Sequence, residues 1–228
     1  MKNTDIRWHT ILKHPFPWLL LMLIASIPAS AHITPVEFAS LGTGEIGFMY
    51  LRLGYNHILP SGFDHVLFIL GLFLLSPRLK PLLWQATAFT VAHSVTLGLA
   101  MAGKIHPLPA ITEPLIAISI AFVALENMML NNLKWWRILV VFCFGLIHGC
   151  GFATALSETG LPENNFLYAL VSFNAGVELG QVTVIAAAYF LLGKWAGSKQ
   201  WYRNRIVFPA SAAISVIAIY WTIERVFL

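Results

Sequence analysis

The sequence predicts an all-α fold, a polytopic membrane helix bundle of six transmembrane helices behind a cleavable signal peptide. Three observations predict it. Of the 228 residues, 58% are hydrophobic and only 11% charged, against about 25% charged in a typical soluble domain. The apolar residues fall in long blocks rather than amphipathic stripes, as membrane spans do. Lys and Arg gather in alternate loops between those blocks. In such a chain the net charge of +4 speaks to orientation through where the cations sit, and gives no reason to expect a nucleic-acid partner.

Residues 1–31 read as the signal peptide. Lys2, Arg7 and Lys13 form a positive start, Phe16 to Ile27 a short apolar centre, and Ala29-Ser30-Ala31 the small-x-small site that precedes cleavage. Cutting there leaves His32 first, and a free amine beside its own imidazole is a chelator for copper or nickel. Residues 32–59 form an outer-side segment. Within it Ile46, Met49, Tyr50 and Leu53 repeat at helical spacing and predict an interfacial amphipathic helix. The transmembrane domain then occupies residues 60–228, with helices over 60–76, 82–102, 110–130, 135–156, 165–192 and 206–226.

The loops predict orientation. "SPRLKP", "NNLKWWR" and "GKWAGSKQWYRNR" carry eight of the basic residues, whereas the opposite loops carry Arg52 and Lys104 and "SETGLPENN" carries none. The positive-inside rule makes the basic loops cytoplasmic, and both mature ends then face outward. Trp84, Trp135, Trp136, Trp195 and Trp201 lie at those same boundaries, where an aromatic belt is expected. Cys143 and Cys150 are seven residues apart, about 10 Å along a helix, which is too far for a disulfide and belongs to no redox motif.

Titratable groups inside a bilayer cost free energy unless partnered, and they mark sites or pathways. Asp64 and His65 stand at the outer lip of the first span, His93 mid-way along the second, and His148 in the outer half of the fourth. Asn174, Glu178 and Gln181 share one face of the fifth, with Glu178 near the midplane. Gly145 and Gly149 bracket His148, and Gly176 and Gly180 bracket Glu178. Such small-residue faces allow close helix approach, so packing one on the other predicts that His148 meets Glu178. Asp64, His65, His93, His148 and Glu178 are then nitrogen and oxygen ligands suited to nickel, cobalt, zinc or copper. The bland alternative for each is a helix–helix hydrogen bond, and for Asn174 and Gln181 it has equal weight. Glu126 and Asn127 lie deeper, as an inner gate or as groups facing cytoplasmic headgroups.

Five polar-containing blocks, "NHILPSGFDHVLFILGLFLL", "TAFTVAHSVTL", "FVALENMML", "FGLIHGCGFA" and "FNAGVELGQ", occur in this order between His57 and Gln181. Together they resemble the HupE/UreJ family. The resemblance implies a bacterial inner-membrane protein linked to hydrogenase and urease maturation, a nickel permease distantly similar to nickel/cobalt transporters. The family signature is His-Pro-x-x-Gly-x-Asp-His. Gly62, Asp64 and His65 match its second half; Ile58 and Leu59 stand where His-Pro would be, with His57 displaced by one.

The reading is therefore a permease or binding protein for a divalent transition metal, nickel favoured. Asp64 and His65 capture the ion, His93, His148 and Glu178 hold it at the midplane, and Glu126 assists release. Metal binding weakens as pH falls, because ligating histidines must be neutral and carboxylates ionised. Two alternatives stay open. One is a metal-sensing or assembly accessory subunit that serves a metalloenzyme maturation partner. The other is an intramembrane zinc-dependent hydrolase, although the chain lacks His-Glu-x-x-His or another enzymatic spacing.

Overall fold

A computed structural model describes residues 42–159 and 165–227. The signal peptide and His32 lie outside the described residues. Every regular element among the described residues is helical. In chain order these are α1 (Thr43–Ile58), α2 (Phe63–Leu75), α3 (Leu79–Met101), α4 (Pro109–Met129), α5 (Arg137–Thr159), α6 (Phe166–Ala188) and α7 (Phe208–Phe227). A π-helical turn, Tyr189–Gly193, carries α6 on to Lys194–Ala196, and a second, Arg203–Val207, leads into α7.

The apolar blocks become helices because a chain in hydrocarbon must satisfy its backbone hydrogen bonds within each segment. Among the described residues, three stretches are long and apolar enough to cross a membrane: Pro109–Met129, Phe166–Ala196 and Arg203–Phe227. A fourth exists if α1 and α2, bent by 66° at their junction, count as one broken span. The burial pattern is that of a lipid-facing bundle. On α4 the exposed stripe is Ile111, Leu115, Ile118, Phe122 and Leu125, while small or polar Ala117, Ser119, Ala124 and Asn127 are buried.

The predicted amphipathic helix exists as α1, but what its inner face covers is α6. Ile46, Tyr50, Gly54 and Ile58 are buried along it. The two backbones touch: a Cβ on Gly54 would lie 1.9 Å from the Phe173 carbonyl oxygen, and one on Gly176 would lie 2.0 Å from that of Leu51. α2 is the central element. With 13 residues it is about 20 Å long, short of the ~30 Å hydrocarbon core, and it is buried on almost every side. That all-round burial explains why its sequence is apolar all round.

The glycine faces corrects the expected pairing of helices. Those of α5 and α6 do not meet. Gly145 and Gly149 on α5 lie against the α3 backbone at Phe89 and His93, whereas Gly176 and Gly180 on α6 lie against Leu51 and Ile58 of α1. A small-residue face permits close approach without specifying the partner. α4 packs on α7 as a third pair.

Candidate metal centre

Four histidines converge between these pairs. His57 lies in the last turn of α1, His65 in the first turn of α2, His93 in the middle of α3 and His148 in the middle of α5. In an unbroken helix eight residues would separate His57 from His65 by about 12 Å. The bend brings their ring centroids to 4.5 Å. Gly62 makes the bend fit, since a Cβ there would lie 2.0 Å from the His57 carbonyl oxygen. His93 lies 5.9 Å from His57 and 6.1 Å from His65, ring to ring. His148 packs edge-on against His65 at 4.9 Å.

One nitrogen from each of His57, His65 and His93 comes within 4.8 Å of the other two. Two nitrogens bound to one tetrahedral metal at about 2.0–2.1 Å are about 3.4 Å apart. The imidazoles therefore need to draw together by at most ~1.4 Å to share an ion. The Nε2 atoms of all three are buried without a protein partner, and such orphaned buried groups call for an explanation.

The surrounding hydrogen bonds select the tautomers. Asn174 Nδ2 donates to the Leu170 carbonyl at 2.8 Å, so Asn174 Oδ1 accepts from His93 Nδ1 at 3.3 Å. The His93 lone pair is thereby placed on Nε2, the unpartnered nitrogen. At His148 the pattern is reversed. Ser119 donates to the Ile116 carbonyl at 2.7 Å and accepts from His148 Nε2 at 2.9 Å. The lone pair is left on Nδ1, which is also buried and unpartnered. Phe152 lies over His57 at 3.8 Å, with Phe173 stacked on Phe152, and Phe89 packs against His65 and His148. The imidazoles thus sit against an aromatic wall.

The carboxylates predicted to join them are elsewhere. Asp64 turns to the other side of α2 and pairs with Arg225 of α7 at 3.0 Å. The same guanidinium donates to the Glu113 carbonyl at 3.2 Å. Adjacent helical residues point about 100° apart, so Asp64 and His65 reach different neighbours. Glu178 does not meet His148. Its Oε1 accepts from Thr87 of α3 at 2.7 Å, and Gln181 Oε1 accepts from Thr90 at 3.3 Å. Asn174, Glu178 and Gln181 thus share the face predicted for them, and that face is turned to α3.

Glu126 and Asn127 form a separate buried network. Arg137 Nη1 meets Glu126 Oε2 at 3.0 Å, off the hydrogen-bond direction, and Arg137 Nη2 donates to Asn127 Oδ1 at 3.1 Å. Asn127 Nδ2 donates to the Gly71 carbonyl at 2.7 Å, which ties α4 to α2. Arg137 was counted above among loop cations, yet it is 1% exposed. Ser119, Arg225 and the phenylalanine wall escaped the sequence reading, because a lone serine, a terminal arginine and scattered phenylalanines carry no motif.

An all-imidazole donor set suits zinc, copper, nickel or cobalt and not the oxygen-seeking magnesium or calcium. Comparison with curated proteins found no match, and comparison with solved structures found none either. The family model described as "HupE / UreJ protein" matches residues 37–225, a stretch that includes all four histidines and every helix described above but for the last two residues of α7, and the chain belongs to that family.

Proposed function

We propose that this chain is a permease or binding protein for a divalent transition metal, nickel favoured, in the bacterial inner membrane. The observation that carries the reading is the group of half-buried His57 with buried His65 and His93, whose ligand nitrogens lie within 4.8 Å of one another. Family membership supports nickel as the first metal to test. In this reading the bent pair α1–α2 and helices α3 to α7 make six passes. Broken helices at a buried ion site are a recurring transporter device. The basic loops face the cytoplasm, and both mature ends face outward.

The ion enters at the α1–α2 bend and exchanges water for His57 and His65 nitrogens. His93 completes the set, pre-oriented by Asn174. His148, one ring further in, takes the ion next through Nδ1. Arrival of a cation among neutral imidazoles brings uncompensated charge into an apolar site, which favours transient occupancy over permanent storage. The hydrolase alternative loses support from the placement of Asp64 and Glu178, because a carboxylate base beside the metal is missing from the described histidine group.

The test is elemental mass spectrometry of the purified protein with nickel, cobalt, zinc and copper in competition. It is run on wild type, His57→Ala and His93→Ala. We expect stoichiometric metal on the wild type and loss in both variants. Reconstituted liposomes then distinguish flux from binding alone. Retention of wild-type metal by both variants would falsify the site.

A further inference from the structure

The three basic loops come together at one end of the bundle and line a half-open cavity of about 520 Å³. Ser76 and Arg78 line it from the α2–α3 loop, Asn132 from the α4–α5 loop, and Lys194 and Arg203 from the α6–α7 connection. The lining contains three cations and no acidic residue. Arg203 is fixed in place by donating to the Leu130 carbonyl at 2.7 Å and the Met128 carbonyl at 3.0 Å. Arg78 and Lys194 are exposed, and among the described residues neither has an ion-pair partner. Both π-helical turns contribute to the wall, through Tyr189 and Gly193 in one and Arg203 and Val207 in the other. Such turns are rare and are frequent at functional sites. Trp84, Trp135 and Trp195 are exposed at the same end, which places the cavity at the level of lipid headgroups.

We propose that this cavity binds a phosphate-ester anion, supplied by the headgroup of an anionic phospholipid. A fixed guanidinium and two free cations offer the charge and donors that a phosphodiester takes. The volume accommodates a headgroup rather than a bare ion. Basic pockets between helices on the cytoplasmic side hold anionic headgroups in this way. Because α2, α4, α6 and α7 all end at the cavity, an occupant ties together the ends of helices that surround the histidines. The inference stands apart from the metal reading and can fail without it.

The test is native mass spectrometry of the full chain in detergent, with phosphatidylglycerol or phosphatidylcholine added. Phosphatidylglycerol should be retained in preference. The double variant Arg78→Gln/Lys194→Gln should lose about 30-fold in retention, from two surface cations. The control Lys80→Gln/Lys199→Gln removes the same charge outside the cavity and should lose distinctly less, because charges that do not touch the headgroup are screened over about 10 Å. Inorganic phosphate and glycerol 3-phosphate form the second arm, read as melting temperature. Stabilisation of the wild type but not of Arg78→Gln/Lys194→Gln, without lipid preference, assigns the same site to a soluble phosphate compound. Equal loss in the control, or an unchanged cavity variant in both arms, overturns the proposal.

Discussion

Replacing Asp64 by asparagine separates a ligand from a strut. The Asp64 carboxylate lies 3.0 and 3.2 Å from Arg225 Nη2, and the two side chains are 23% and 21% exposed. A partly solvated pair of this kind contributes about 0.2–1 kcal/mol. If all of it reached the metal site, affinity would fall by about fivefold at most. In the proposed site His65, by contrast, would supply a nitrogen directly, and even the outer partners of ligands are worth about 10–100-fold. We therefore expect Asp64→Asn to keep metal affinity within about fivefold of wild type, and His65→Ala to lose more than about 100-fold. The charge exchange Asp64→Arg/Arg225→Asp should recover what Asp64→Asn loses. Metal titration of the purified proteins, with melting temperatures alongside, reads both effects. If Asp64→Asn is as damaging as His65→Ala and the exchange restores nothing, Asp64 is a ligand and the strut reading is wrong.

Gly62→Ala should spread His57 from His65, because the new methyl collides with the His57 carbonyl; metal binding is lost while the helix content by circular dichroism stays. Wild-type metal content in that variant would show that the bend does not position the pair. Asn174→Leu removes the acceptor for His93 Nδ1 and should weaken metal affinity by about 10–100-fold, with His93 spectra by nitrogen NMR showing a mixed tautomer. An unchanged titration and a single tautomer would remove Asn174 from the site. Glu126→Gln leaves the Arg137 charge buried and unpaired, at a cost of about 3–5 kcal/mol. We expect a lower melting temperature with uptake per folded molecule preserved; the reverse result would put Glu126 on the ion's route.

Helix formation was decided locally. Long apolar blocks in hydrocarbon have no other way to satisfy their peptide groups, so predicted helices such as 110–130 and 82–102 match Pro109–Met129 and Leu79–Met101 within a few residues. His65, His93 and His148 stood out for a related reason, since a polar group in an apolar block is costly wherever it points. What no single stretch encodes is which groups meet. Two glycine faces advertise close approach without naming a partner, and here they engaged α3 and α1 instead of each other. Asp64 and His65 are neighbours in sequence, yet the helical rotation sends one to α7 and the other to the histidines. His57 joined them only through the 66° bend of α1 on α2. The sequence by itself determined the helices and the inventory of polar groups. Tertiary structure alone decided their partners, because contact depends on helix rotation and on the angle of one break, and both are settled by packing across the whole bundle.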